Sequence, residues 1–139
     1  MLALDKNNFL LWFYHTLDSA RRSLDTLGKH YAMAIIEKHL NERGFTTGYG
    51  FAKRVFGRYD AQLQKDFGLL VFRGLVRGDG SRGEQPSSPM LTGFGAGRFE
   101  IVYQGRLEKT LGAHYLGLEK RMKEILLLSP KDILQLANT

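Results

Sequence analysis

A chain of 139 residues with 43% hydrophobic and 24% charged side chains is sized and composed for one folded domain, which excludes a mainly disordered polypeptide. The absence of cysteine excludes a disulfide framework and a thiolate zinc site and fits a reducing, cytoplasmic interior. A formal net charge of +6 is unevenly spread: residues 1–42 sum to 0, residues 43–98 to +5 and residues 99–139 to +1, so an anionic partner is expected at the centre of the chain.

The apolar run Phe9–Phe13 is far shorter than a membrane span and reads as part of a core helix, so no membrane partner is expected. After Asp5, the positions Phe9, Leu10, Trp12, Phe13, Leu17, Leu24 and Leu27 predict one long or broken helix over roughly the first 27 residues, closed by Gly28. A second helix follows, apolar at Tyr31, Ala34, Ile35 and Leu40, polar at Glu37, Lys38 and Glu42, and ended by Gly44. From Phe45 to Phe56, Tyr49, Phe51 and Val55 alternate with smaller or charged neighbours, as in a short strand or extended connection.

Asp60 is placed to cap a third helix running to Arg73, whose Leu63, Phe67, Leu70 and Val71 fall on one face. Gly74 closes it, and Leu75-Val76 reads as a short strand. Six glycines, two prolines and Ser87-Ser88 between Gly78 and Gly97 predict a mobile loop, the candidate wing tip. Phe99, Ile101 and Tyr103 predict a strand over Phe99–Gln104 that pairs antiparallel with Leu75-Val76. A long helix is expected from about Arg106 to Leu128, then a short one capped by Ser129 with Pro130 in its first turn and ending near Leu136. No internal repeat is present.

The order helix, helix, strand-like segment, helix, glycine-spaced hairpin and long helix resembles the winged helix-turn-helix domains of PadR and MarR type regulators, and is more similar still to small prokaryotic YwgA-like proteins. The matching residues are Lys29, Tyr31, Tyr49, Phe51, Gly57, Tyr59, Leu63, Leu70 and Gly74-Leu75-Val76, spread over residues 29–77. Two departures are Arg58, where the family has proline, and Tyr103-Gln104-Gly105 in place of the usual Leu-Thr before the glycine that follows the wing. The resemblance implies a mainly α fold with a small β-hairpin, a winged helix with extra terminal helices. It divides a single domain, residues 1–139, into an N-terminal helix (1–28), a winged-helix core (29–104, wing loop 78–97) and C-terminal helices (105–139).

On the third helix, Ala61, Lys65, Leu69 and Arg73 lie opposite the apolar face and are flanked by Gln62 and Gln64. In a duplex reader this stripe enters the major groove, where Gln62 or Gln64 matches adenine edges and Arg73 matches guanine or phosphate. Arg54, Arg58, Arg77, Arg82 and Arg98 surround the helix and the loop. Five phosphate contacts would make log affinity fall by roughly 4 to 5 per unit of log salt. Leu69 and Phe72 on the same helix instead suit a protein interface.

Leu111, Tyr115, Leu118, Met122 and Ile125 form a narrow seam that pairs helices, either in a homodimer or against the Trp12 helix of the same chain. His15, His30, His39 and His114 are dispersed, and no nucleophile, metal or phosphate-loop pattern is present, so no catalytic residue and no cofactor are expected. The reading is a small DNA-binding transcriptional regulator. A protein-docking module, such as an antitoxin or a subunit of a defence or mobile-element complex, and a small RNA-binding subunit are the alternatives.

Overall fold

The computed structural model describes residues 1–54, 57–78 and 89–139, with residues 52–54 and 57–59 described by their backbone alone. In chain order the elements are β1 (Leu2–Ala3), α1 (Lys6–Ser19), α2 (Thr26–Glu42), β2 (Phe45–Thr46), β3 (Ala52–Arg54), β4 (Gly57–Tyr59), α3 (Ala61–Phe72), α4 (Gly93–Arg98), a π-helical turn (Phe99–Tyr103), α5 (Gln104–Leu111), α6 (His114–Leu126) and α7 (Pro130–Ala137). The protein is mainly helical with very little sheet. β1 and β2 pair in parallel, and β3 and β4 form an antiparallel hairpin that sets Lys53 opposite Arg58 and Arg54 opposite Gly57.

α1 is apolar almost all round, from Phe9 through Tyr14 and on to Leu17, and a helix of that kind has to lie at the centre. The π turn, α5 and α6 pack around it, and α2 lies against α6 and α7. The buried Glu37 carboxylate fastens the chain after α2: it accepts from the Thr47 N–H at 3.0 Å and from the Thr46 and Thr47 hydroxyls. A buried carboxylate is tolerated when its lone pairs are met in this way.

The first helix is shorter than its apolar pattern predicts. It stops at Ser19, the chain turns through Arg21 at φ +54°, and α2 starts at Thr26. Gly28 is therefore a first-turn residue of α2, not a terminator. The Asp25 carboxylate caps its N–H at 2.7 Å, as an N-cap does for the third residue of a helix. Gly44 and Gly74 do end their helices, at φ +86° and +74°.

The strand expected at Phe99–Gln104 is helical, and the loop expected to reach Gly97 ends where Thr92 caps α4 by accepting from the Gly95 N–H. The alternation of Phe99, Ile101 and Tyr103 misleads because it coexists with a second spacing: Phe99, Tyr103, Leu107 and Leu111 recur every four residues. An α-helix with that repeat drifts around its axis, and a wider π turn absorbs the drift. The Gln104 N–H accordingly reaches back to the Phe99 carbonyl. Phe99, Leu107 and Leu111 are buried, and Ile101 is exposed.

Leu75-Val76 pairs instead with the segment that leaves the loop. Val76 bridges Leu91 antiparallel, with the Arg77 N–H donating to the Met90 carbonyl at 2.7 Å and the Thr92 N–H to the Leu75 carbonyl at 3.1 Å. The single long C-terminal helix is also divided: Gly112, at φ +55° and ψ −128°, adopts a conformation that side chains resist, and separates α5 from α6. The last helix forms as predicted, with the Ser129 hydroxyl accepting from the Asp132 N–H at 3.1 Å. Among the described residues no helix is long and apolar enough to cross a membrane.

Candidate nucleic-acid interface

The position of α3 is fixed at the residue that caps its start. Asp60 accepts from the Leu63 N–H at 2.9 Å with one carboxylate oxygen, as a cap should, and from the Gly50 N–H at 2.7 Å with the other. Its backbone carbonyl lies 3.2 Å from Nε2 of His30, whose Nδ1 is 2.8 Å from the Thr26 carbonyl. The start of α3 is thereby tied to α2 and to the chain before the hairpin.

Leu63, Phe67 and Leu70 turn inward. Phe67 meets Tyr14 and His30 edge-on, at 5.8 and 5.9 Å between ring centroids, and the Lys29 ammonium stands 4.8 Å from its ring centre. Val71, expected on this inward face, is exposed, because three residues one or two turns apart already fill the contact and Val71 lies at its edge. Asp66, half-buried, accepts from the Tyr49 hydroxyl at 2.5 Å and from the Gln62 amide at 2.9 Å. Burial, with the Asp66 hydrogen bond and charge added, pushes the Tyr49 phenol well above the ordinary tyrosine range, so it stays a donor to Asp66.

The outward side of α3 carries Lys65, Leu69 and Arg73, together with Gln64 and Phe72, all exposed. Gln62 is exposed too, but its amide is engaged by Asp66. Arg77 and Arg98 are exposed, and the Arg98 guanidinium lies 5.9 Å from the centre of the Tyr103 ring. Arg54 and Arg58 occupy the two strands of the hairpin, whereas Arg82 lies outside the described residues, as does half of the expected wing loop. Phe72 is 87% exposed and Leu69 46%, an unusual apolar display beside two cations.

The seam of Leu111, Tyr115, Leu118, Met122 and Ile125 is buried inside the chain. Tyr115 stacks on Trp12 at 5.3 Å, and Leu118, Met122 and Ile125 close on Trp12, Ile36 and Leu40 without leaving room for a ligand. Of the two uses expected for the seam, packing on the Trp12 helix is the one observed. The histidines are taken up separately: His15 stacks on Phe99, His114 meets Phe45 edge-on, and His39 accepts from Arg121, where burial and then the Arg121 charge lower its pKa.

Sequence reasoning missed three groups that shape this site. Lys29 is 4% exposed beneath α3, Asp66 receives Tyr49, and Asp18 at the end of α1 holds the far side of the loop neck. Lys29 carries one detectable signal: it shares a helical stripe with the buried Met33 and Ile36, where a solvated lysine does not belong. Comparisons of the chain with family models, curated proteins and solved structures return no match.

Proposed function

We propose that this protein binds double-stranded DNA through the outward face of α3, as a small transcriptional regulator of the winged-helix kind. The observation that carries the reading is the display of Lys65 and Arg73 on a helix whose opposite face is locked by Leu63, Phe67 and Leu70, so that a rigid cationic edge is available to a groove. Two neighbours support it. The Val76–Leu91 bridge brings together the two ends of the glycine-rich loop directly after α3, as at the root of a wing, and the β3–β4 hairpin places Lys53 and Arg58, both basic residues of the sequence, at one register position. Fluorescence anisotropy on duplex DNA at low salt tests the reading, with an Arg58, Lys65, Arg73 triple alanine variant alongside. Weaker binding by the variant is expected, and equal binding would remove the mechanism. Competition by RNA against the duplex separates an RNA-binding subunit from a DNA reader.

The exposure of Phe72 favours a second reading, a protein-docking module. Co-purification from the native host distinguishes it: a stoichiometric partner lost on Leu69→Asp supports docking, and purification without a partner argues against it.

A further inference from the structure

His39 of α2 and Arg121 of α6 line a narrow apolar crevice together with Trp12, Ile36, Leu40, Leu118 and Met122. The Arg121 Nε–H donates to His39 Nε2 at 3.2 Å, and Arg121 Nη1 donates to Glu124 on its own helix at 3.1 Å. Arginine offers no acceptor and keeps its proton, so this contact exists only while Nε2 is bare and the imidazole is neutral. The ring proton then sits on Nδ1, which is 3.7 Å from a Glu42 carboxylate oxygen one turn along α2. Burial, followed by the Arg121 charge, lowers the His39 pKa, and Glu42 opposes them. Among the described residues the other charges acting on the ring are Arg43 and Lys38 of the same helix. The His39 side chain is 23% exposed and open to solvent protons, whereas Trp12 is 0% exposed.

We propose that the His39–Arg121 contact is an acid-operated latch between α2 and α6, which opens when His39 takes up a proton and turns from Arg121 to Glu42. A second cation 3.2 Å from Arg121 is repelled, and the Glu42 carboxylate is the acceptor already nearby. Protonation trades a contact between helices for one within α2, and α6 loosens over Trp12. With the folded-state pKa lowered, the latch contributes fully above the ordinary histidine pKa of about 6.5 and is lost as pH falls below it. Neither α3 nor the β3–β4 hairpin takes part, so failure of the nucleic-acid reading leaves the latch standing.

Trp12 is the only tryptophan of the chain, so its fluorescence reads the crevice directly. The full chain is taken from about pH 7.5 down through the His39 titration, which imidazole proton NMR follows. Trp12 emission should shift to the red and its quenching by acrylamide should rise, reversibly and with far-UV circular dichroism retained. His39→Gln keeps an uncharged acceptor for Arg121 at every pH and should abolish that step, although His15, His30 and His114 remain. Arg121→Gln, at a side chain 41% exposed, removes the repelling charge, so the His39 titration should move upward from its position in the unmodified chain. A Trp12 step as large in His39→Gln as in the unmodified chain, a Trp12 signal that stays flat while His39 titrates, or loss of helix along with the step would overturn the proposal. So would an unmoved His39 titration in Arg121→Gln, a result that does not depend on how well His39→Gln folds.

Discussion

The Asp18 carboxylate accepts the Leu91 backbone N–H at 3.0 Å, and with its other oxygen the Met90 N–H at 2.7 Å, joining the end of α1 to the segment that leaves the glycine-rich loop. The contact spans more than seventy residues and holds Leu91 where Val76 can pair with it. Two backbone donors that would otherwise be only partly hydrated depend on one side chain. Asp18→Ala is therefore expected to cost about 1–3 kcal/mol in urea unfolding and to raise hydrogen exchange at Met90 and Leu91. Unchanged exchange at both amides would show that the neck is held by its own bridge.

Gly95 faces the same neck from the other side. A Cβ at this position would lie 2.0 Å from the Leu75 carbonyl oxygen, a backbone atom that cannot step aside. Gly97, two residues on in α4, has nothing within 4 Å of the equivalent point. Gly95→Ala should destabilise by about 1–3 kcal/mol or more, and Gly97→Ala should stabilise by roughly 0.4–1 kcal/mol through helix propensity and a less disordered unfolded chain. Paired denaturation curves check the opposite signs, and a shared sign would mean that α4 does not press on Leu75.

These two sites show what the sequence could carry and what it could not. Apolar spacing located α2 and α3, and local chemistry located α7 and the Asp60 and Ser129 caps, because each depends on neighbours within a few residues. The expected strand at Phe99–Gln104 failed because a two-residue alternation and a four-residue repeat overlap there, and burial of Phe99 against α1 decides between them. The seam on α5 and α6 was legible as an apolar stripe, but whether it met a second copy or Trp12 depended on how residues a hundred apart fold together. At the candidate interface, Lys65 and Arg73 were legible from helical phase, whereas the engagement of Gln62 and the burial of Lys29 depended on tertiary contacts.

The Trp12–Tyr115 stack also sets an alkaline limit. Burial, with the Glu119 charge added, pushes the Tyr115 phenol up to about 12. The unfolded phenol titrates near 10, so this group's contribution is fully present below about pH 10 and is lost as pH rises toward 12, because the unfolded chain releases the proton first. Tyr115→Phe keeps an aromatic ring against Trp12 and removes that proton. Thermal unfolding at about pH 9 and about pH 11 should show a larger fall in melting temperature for the unmodified chain than for the variant. Tyr49, also shifted upward, is present in both proteins and cancels. Equal falls would mean that the Tyr115 hydroxyl titrates as it does in the unfolded state.

The salt dependence of duplex binding separates charge from apolar contact on α3. Lys65 and Arg73 are the exposed cations of its outward side, and Leu69 and Phe72 are its exposed apolar residues. If both cations meet phosphates, the Lys65→Gln, Arg73→Gln variant should flatten the plot of log affinity against log salt by about 1.8, because each phosphate contact on duplex DNA contributes about 0.9. Phe72→Ser should leave that slope unchanged, since it releases no counterion, even if affinity falls. The opposite pattern, a slope untouched by removing both cations together with a complete loss of binding on Phe72→Ser, would make the aromatic side chain the main contact and move α3 from groove reading to protein docking.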